Sequence, residues 1–329
     1  MTPRIQTLVH CAIFVSAMLV PGYSIADVFP VTVDHAFGTT TIEKPPVRVA
    51  TVAWANHEVP LALGVVPVGF ARANFGDDDG DGLLPWVSEK LTELGAETPV
   101  LFDEGDGIDF EAVAATRPDV ILAAYSGLSQ TDYATLGKIA PVIAYRDAPW
   151  ATDWREMIML NGAGLGKSDE AAALIAQIEG EIADTVARFP EIAGKEALFV
   201  THLDIRDLST VKFYTEHDTR VKFFADLGMA SPTAVRDASI DGQYSGEISA
   251  EKIDVFADVD ILVAYGGNAL LQRVQRNLLT SQMPTIENGA VVLLGNDPAG
   301  TAANPTPLSI TWVLEEYVTL LAAAARKSE

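Results

Sequence analysis

The amino-acid sequence predicts an α/β protein made of two lobes with mainly parallel sheets, joined by a single long rigid helix, with a cleft between the lobes. Three observations carry this prediction. Strand and helix patterns alternate along the chain, which is typical of βα units. One arrangement of these units occurs twice, once in each half of the chain. A long amphipathic segment, residues 167–190, separates the two copies.

The two copies begin alike. In the first, a strand pattern at residues 48–54 is followed by a helical pattern that Gly64 ends. In the second, a strand pattern at residues 197–202 is followed by a helix over residues 221–227, which Gly228 ends. Glycine is the residue most often found just past a helix C-terminus. The matching order predicts that each half of the chain builds one lobe on a common plan.

A second correspondence links the two halves. Glu111 opens a short helix that leads to an apolar strand at Asp119, and Glu251 opens a helix that leads to an apolar strand at Asp260. The spacing from the glutamate to the aspartate differs by one residue, so the units are equivalent without being a strict repeat. Each copy continues into a further apolar strand, at residues 141–145 and 290–294.

The segment between the copies is predicted to form one helix. Ser168 is a candidate N-cap with acidic residues in the following turn, and Pro190 ends the pattern. About 20 helical residues span about 30 Å, which is enough to cross from one lobe to the other. The chain therefore divides into an N-terminal lobe at residues 27–166, an interlobe helix at residues 167–190 and a C-terminal lobe at residues 191–329.

The first 26 residues have the organisation of a secretory signal peptide. Arg4 precedes an apolar run at residues 8–20, and small residues at the end of the segment provide a cleavage site before Asp27. The only cysteine, Cys11, lies in that run, so the mature chain has no thiol for disulfides or nucleophilic catalysis. We expect a mature protein that begins near Asp27 and is exported to the periplasm.

Charge and missing motifs exclude several functions. The formal net charge of −23 repels phosphate backbones and anionic lipids, so no nucleic-acid or membrane-surface partner is expected. No G-x-S-x-G elbow, dinucleotide-binding glycine fingerprint or S-x-x-K motif is present, which argues against an enzyme. The glycine-rich segment 162–168 resembles a phosphate-binding loop, but Asn161 stands where that motif requires glycine.

Two sets of residues in the sequence are candidate metal ligands: an acidic segment and the histidines. The acidic segment 77–82 matches the first half of a calcium-binding EF-hand loop, but Ser88 stands where the bidentate glutamate is required. We expect a solvated surface loop there, with calcium binding as the alternative. The four histidines of the mature chain never occur at a close spacing such as H-x-x-x-H. We expect ordinary surface or cleft histidines, with a zinc site formed by their convergence in space as the alternative.

Short motifs follow one another in a specific order along the whole mature chain. They are VRV at 47–49, the segment 56–69 that begins NHE, FEAV at 110–113, RPDVIL at 117–122, APV at 140–142, LG at 227–228, ISAE at 248–251 and DILV at 260–263. In this order and spacing they resemble the iron–siderophore periplasmic binding proteins of ABC importers, of the ferric citrate and hydroxamate type.

The resemblance implies a function. Such a protein captures a ferric siderophore and delivers it to the permease dimer of an ABC transporter for iron uptake. Glu111 and Glu251 match the glutamates, one on each lobe, that dock these proteins onto the permease. Because the iron is carried within its chelator, we expect no cofactor and no metal ligands from the protein. We also expect a monomer. Heme, cobalamin and metal-ion binding proteins share the architecture and are the alternative.

The ligand is expected in the cleft, against the loops that leave the carboxyl ends of the strands. Aromatic rings there would pack on the organic part of a chelate, and guanidinium groups would pair with the oxygens around the metal. The loops of the first lobe offer Trp54, His57, Arg72, Tyr125 and Trp150, and those of the second lobe offer Arg206, Tyr214, Tyr244 and Tyr265.

Overall fold

A computed structural model describes residues 28–201, 206–240 and 243–328 of the chain. The predicted signal peptide with Cys11, and also His202, lie outside these residues. No helix within the described ranges is both long enough and apolar enough to cross a membrane.

The first elements form a two-stranded antiparallel hairpin, β1 (Val31–His35) and β2 (Gly38–Ile42). His35 Nδ1 accepts a hydrogen bond from a nearby backbone N–H, so Nε2 carries the proton and donates it to Thr40 Oγ1 at 2.8 Å. Thr40 Oγ1 in turn donates to the carbonyl oxygen of Val142 at 2.8 Å. Burial lowers the pKa of His35, which keeps the ring neutral in this role. These successive hydrogen bonds attach the hairpin to the first lobe.

The first large sheet has five strands, all parallel, in the spatial order β5-β4-β3-β6-β7. Parallel strands covered by helices on both faces are near-continuous apolar runs, and these strands fit that rule except for Thr51 in β3 and the partly exposed edge strand β5. They are β3 (Val49–Thr51), β4 (Gly69–Ala71), β5 (Val100–Phe102), β6 (Val120–Ala123) and β7 (Val142–Ala144).

Five helices belong to this part of the chain. The side chains of Asp109, Ser129 and Asp153 accept hydrogen bonds from backbone N–H groups of the first turns of three of them, so these residues fix where the helices begin. The helices are α1 (Glu58–Ala62), α2 (Pro85–Glu93), α3 (Phe110–Ala115), α4 (Gln130–Leu136) and α5 (Trp154–Gly164).

The long helix α6 (Ser168–Val186) lies between the two large sheets along the chain. Its 19 residues span about 28 Å. The prediction that Ser168 caps it is wrong: the chain turns at Gly166, Lys167 occupies the N-cap position without a side-chain hydrogen bond, and Ser168 is already helical. The helix also ends before Pro190, which instead begins a short 3₁₀ helix (Pro190–Ile192).

The second large sheet also has five strands, in the order β10-β9-β8-β11-β12. Three of them, β8, β11 and β12, are parallel, whereas β9 runs antiparallel to both of its neighbours. The strands are β8 (Ala197–Val200), β9 (Thr210–Tyr214), β10 (Ser245–Ser249), β11 (Ile261–Tyr265) and β12 (Val291–Leu294).

The helices around this sheet are α7 (Thr219–Asp226), α8 (Thr233–Ala238), α9 (Asn268–Arg276), α10 (Pro284–Asn288), α11 (Pro298–Ala302) and α12 (Ser309–Ala325). Two 3₁₀ segments, Ala250–Phe256 and Thr280–Gln282, complete the set. The helix expected after Glu251 is thus a 3₁₀ helix, with a kink at Lys252, and matches its counterpart α3 only in position.

Asp226 joins three helices from different parts of the chain. In α7 its carboxylate accepts hydrogen bonds from Trp154 Nε1 at 2.9 Å and from Arg155 Nη1 at 2.8 Å, both in α5. The Nε atom of Arg155 donates to Glu179 of α6 at 2.7 Å. One junction therefore connects the first lobe, the long helix and the second lobe.

Glu58 forms a second junction between the two halves. Its side chain is almost completely buried in α1. Oε1 accepts a hydrogen bond from Trp86 Nε1 at 2.8 Å, and Oε2 accepts one from the backbone N–H of Leu308 at 2.8 Å, just before α12. The C-terminal helix is thereby held against the N-terminal half of the protein.

The two mainly parallel sheets with helices around them confirm the predicted α/β fold class. All strands of the first large sheet precede α6, and all strands of the second follow it. The lobe boundaries at residues 166 and 190, and the rigidity of the connection, stay predictions.

Candidate functional site

A cavity of about 700 Å³ lies between the two halves and is lined by residues that follow strands of both large sheets. Ligand sites in α/β folds generally occur at the carboxyl ends of parallel strands, and this cavity has that position. Eight of the nine predicted ligand-site residues line this cavity: Trp54, His57, Arg72, Tyr125, Trp150, Tyr214, Tyr244 and Tyr265.

Arg206 is the exception, because it is exposed and is not among the residues that line the cavity. The strand pattern at residues 197–202 predicts it in a loop that leaves the strand toward the cleft. The chain instead returns as the antiparallel strand β9, so Arg206 lies in the connection between two adjacent strands. The arginine that the second lobe supplies to the cavity is Arg220, at the start of α7.

Arg220 is held in place by three neighbours. Its Nη1 donates to both carboxylate oxygens of Asp218, at 3.0 and 2.8 Å, and its Nε donates to the Tyr265 hydroxyl at 3.2 Å. The guanidinium carbon lies 4.3 Å from the centre of the Tyr214 ring, a cation–π distance. None of these hydrogen bonds involves Nη2. The guanidinium is therefore fixed in place, and the N–H groups of Nη2 can donate to a ligand.

The guanidinium of Arg220 stays protonated and positively charged. Burial by itself would lower its pKa, but Asp218 and the surrounding tyrosines raise the pKa well above its usual value. Burial also raises the pKa of Tyr214 to about 12, so that this hydroxyl keeps its proton. The second-lobe wall therefore offers a permanent cation and phenol groups, all of which can donate hydrogen bonds to oxygen atoms of a ligand.

The wall of the first lobe is mainly aromatic. Tyr125 and Trp150 pack edge to face with their ring centres 5.3 Å apart. Trp150 has a φ of +61°, and a Cβ added to Gly127 would come within 2.4 Å of its indole nitrogen. Glycine at position 127 is thus what allows the indole to lie against this turn.

His57 is a neutral member of the same wall. Its ring stacks on Phe70 with centres 4.3 Å apart, and burial lowers its pKa to about 3. At physiological pH the imidazole therefore adds a flat, uncharged surface, and it cannot provide a positive charge to an anionic ligand.

Residues from both halves also meet at the edge of the cavity. Phe75, in the connection after β4, approaches Tyr265 of the second lobe edge to face, with ring centres 6.1 Å apart. Arg72 is exposed at the cavity wall, and no carboxylate of the described residues forms an ion pair with it. Tyr244 is 46% exposed and extends the aromatic surface outward.

Glu104, which was not among the residues predicted from the sequence, follows β5 and contributes a carboxyl group to the cavity wall. Burial raises its pKa to about 7, the Ala53 N–H opposes this rise, and the charge of Asp109 adds to it. Its segment, DEGDG at 103–107, has the composition of a solvated loop, which concealed it.

A signal for Arg220 was present in the sequence. A cation in the first turn of a helix is unfavourable because the helix dipole is positive there. Arg220 occupies that position in α7, and Asp218 stands two residues before it. The helix predicted from the sequence began one residue after Arg220. An arginine at such a place needs a nearby acid, and this pattern would have identified the pair.

The acidic loop has a local structure of its own. Carboxylate oxygens of Asp77, Asp79 and Asp81 lie within 4.8 Å of one another. Each of them accepts a hydrogen bond from a backbone N–H of the same loop. These bonds form without an ion in solvated Asx turns, so the geometry agrees with the predicted surface loop.

The predicted docking residues occupy similar local positions in the two halves. Glu111 lies in the first turn of α3, after the N-cap Asp109, and Glu251 lies in the first turn of the 3₁₀ helix that Ser249 caps. Both glutamates are exposed. Each can therefore reach a partner, and each is also favoured by the helix dipole.

The fold and the cavity define a class of protein, a two-lobed binding protein in which both lobes build the wall of one site. The chain belongs to the periplasmic binding protein family, whose profile matches residues 49–298. The family assignment agrees with the motifs in the sequence, which lie almost entirely within that range.

Similar proteins handle iron. The PiaA protein of Streptococcus pneumoniae TIGR4, solved in complex with ferrichrome, is 42% identical with a TM-score of 0.87, covering 91% of this chain and 100% of that chain. A second PiaA structure, described as an iron uptake ABC transporter substrate-binding protein, is 41% identical with a TM-score of 0.83, covering 90% and 100%. The Fe(3+) dicitrate-binding periplasmic protein FecB of Escherichia coli (strain K12) is 25% identical over 273 residues, 81% of this chain and 83% of FecB. The resemblance to iron–siderophore binding proteins is thereby confirmed.

Proposed function

We propose that this protein captures a ferric siderophore between its lobes and delivers it to an ABC importer for iron uptake. The arrangement around Arg220 is the observation that carries the proposal: a buried guanidinium, fixed by Asp218 and Tyr265, keeps Nη2 available at an aromatic cavity. The oxygens around a chelated metal are hydrogen-bond acceptors, and the aromatic rings match an organic shell. A cavity of about 700 Å³ suits a ligand of that size.

The likeness to PiaA supports ferrichrome as the first ligand to test. We expect the mature protein to bind ferrichrome with quenching of tryptophan fluorescence, because Trp54 and Trp150 line the cavity. Mass spectrometry of the protein as purified would identify a chelate that is already bound. A Soret band or bound cobalamin in place of ferrichrome binding would instead support the alternative ligands.

The same proposal includes the location and the partner. The signal peptide would deliver the mature chain, without enzymatic activity of its own, to the periplasm as a monomer. There the loaded protein would present one glutamate from each lobe to the permease dimer. Two contact points set the orientation of a two-lobed protein on a two-subunit partner.

Reversing the charge of both Glu111 and Glu251 tests the docking role. We expect the Glu111→Arg, Glu251→Arg double variant to lower iron uptake by about tenfold, since two partly exposed ion pairs contribute up to about 1 kcal/mol each. Uptake of radioactive iron by cells that rely on this protein measures the effect, with ferrichrome affinity measured alongside.

The matched control reverses two other exposed glutamates, Glu97 and Glu287, one in each half. It produces the same change in net charge and should leave uptake at the wild-type level. Equal uptake by both double variants would show that Glu111 and Glu251 do not dock the protein.

A further inference from the structure

One oxygen of Glu104 is held by a backbone hydrogen bond, and the other has no partner in the part of the chain that the structure describes. Oε2 accepts a hydrogen bond from the Ala53 N–H at 2.9 Å. Ala53 has a φ of +62°, a left-handed conformation that residues with a Cβ avoid, so the hydrogen bond holds a strained turn beside the cavity. The carboxyl group is therefore anchored rather than free to turn toward water.

The second oxygen, Oε1, is buried and has no hydrogen-bond partner among the described residues. A buried acceptor without a donor is unfavourable, so a ligand that brings an N–H or O–H group to it gains more than at a solvated oxygen. Glu104 belongs to the wall of the first lobe, whereas Arg220 belongs to the wall of the second. The cavity thus places an acceptor on one wall and a cationic donor on the other.

The charges that line the cavity favour a neutral ligand. Among the described lining residues are two arginines, Arg72 and Arg220, and three carboxyl groups, Glu104, Asp132 and Asp218. Asp218 is paired with Arg220, and His57 is uncharged because burial lowers its pKa to about 3. The lining therefore carries no excess of positive charge to balance an anionic chelate. A ferric tris-hydroxamate has no net charge, because three hydroxamate anions neutralise the ferric ion.

The protonation state of Glu104 is sensitive to pH in the physiological range. Burial raises its pKa to about 7, the Ala53 N–H lowers the pKa, and the charge of Asp109 at the start of α3 raises it. The other charged groups on neighbouring elements of the wall are Arg72 after β4 and Asp132 in α4. A ligand donor on Oε1 would stabilise the ionised form and draw the pKa down.

We propose that Glu104 is a specificity-determining residue, whose Oε1 accepts a hydrogen bond from an amide N–H or hydroxyl group of a neutral ferric hydroxamate and whose charge disfavours anionic chelates. The inference rests on the proposed function and names the class of chelate. Together with Arg220 it also gives the chelate an orientation, with its metal-binding oxygens toward the second lobe and its donor groups toward the first.

Ferrichrome tests the hydrogen bond, because it is a neutral ferric hydroxamate built on a cyclic peptide with amide N–H groups. We expect the affinity of the wild-type protein to rise about fivefold between about pH 6 and pH 8, since an ionised acceptor forms a stronger hydrogen bond than a neutral one. In the Glu104→Gln variant the affinity should be independent of pH over that range. The Glu97→Gln variant, changed at an exposed glutamate outside the cavity, should keep the wild-type pH dependence.

Ferric dicitrate tests the exclusion of anions. At about pH 8, where Glu104 is mostly ionised, the Glu104→Gln variant should bind ferric dicitrate about fivefold more tightly than the wild type, because it lacks a negative charge in the wall. A Glu104→Gln variant that keeps the pH dependence, or that binds ferric dicitrate no better, would overturn the inference while leaving siderophore binding intact. A wild-type protein that binds neither chelate would overturn the proposed function and this inference together.

Discussion

Replacing Arg220 by alanine is expected to weaken ferrichrome binding by roughly 10- to 150-fold, which corresponds to about 1.5–3 kcal/mol for a hydrogen bond to a charged group. The guanidinium is already oriented by Asp218 and Tyr265, so the ligand does not have to order it. A preorganised donor in a partly dehydrated cavity contributes more to affinity than a mobile surface arginine does. Titration by tryptophan fluorescence quenching measures the change.

The alanine variant also leaves Asp218 buried without its partner, so stability has to be checked in parallel by thermal unfolding. A second variant, Arg220→Lys, keeps a positive charge beside Asp218 but loses the planar fork that reaches Asp218, Tyr265 and the ligand at once. It should fold more stably than the alanine variant and still bind weakly. Arg276→Ala, at an exposed position in α9, is the matched control and should bind normally. A folded Arg220→Lys protein with wild-type affinity would show that Nη2 does not contact the ligand.

Replacing Glu58 by alanine is expected to lower the free energy of unfolding by about 2–6 kcal/mol, because each of two hydrogen-bond donors left without an acceptor costs about 1–3 kcal/mol. The change leaves Trp86 Nε1, which is buried, and the N–H of the half-buried Leu308 without their acceptor. It also releases the start of α12 from the first lobe. Urea denaturation followed by circular dichroism measures the loss.

Glu89 provides the matched control, because it also accepts a hydrogen bond from an indole nitrogen, that of Trp312 at 3.3 Å, but on the surface. Glu89→Ala should cost less than about 1 kcal/mol, since water replaces an exposed acceptor. Equal losses in the two variants would mean that Glu58 does not join the two halves in the way its contacts indicate.

The pH dependence of stability follows from the same burial. Burial raises the pKa of Glu58 in the folded protein, although its hydrogen bonds oppose the rise. The folded state therefore binds the proton more readily than the unfolded state, whose glutamates titrate near pH 4.3. The contribution of Glu58 to stability is greatest below that pH and declines as the pH rises through the folded pKa. Glu58→Gln should remove this part of the pH dependence.

The sequence predicted the elements that are both apolar and regular. Buried parallel strands have near-continuous apolar runs, and glycines such as Gly64 and Gly228 end the neighbouring helices at a positive φ, so both leave strong patterns. The hairpin β1–β2 and the antiparallel strands β9 and β10 have mixed composition, because one side of each faces solvent. Their positions depend on tertiary contacts, such as the one from Thr40 to Val142, that no local pattern encodes.

The residues of the candidate site also divide into those that local sequence patterns predict and those that they do not. Loops that leave parallel strands were predictable from topology, and most of the aromatic residues in them do line the cavity. Arg206 was predicted in place of Arg220 because the direction of β9, which returns antiparallel to β8, is not encoded in a local pattern. Glu104 was concealed for another reason: its burial comes from residues such as Ala53, more than fifty positions earlier in the chain. Side chains whose role depends on remote burial are the ones that sequence patterns miss.

The junction at Asp226 affects how the protein loses its structure. The carboxylate in α7 is satisfied by Trp154 and Arg155 of α5, and Arg155 is shared with Glu179 of α6. Unfolding either half would strand polar groups of the other in a partly buried place, so neither half can melt at low cost while its neighbour stays intact. We therefore expect the two lobes to unfold together, so that a protease that cuts one of them after unfolding also cuts the other.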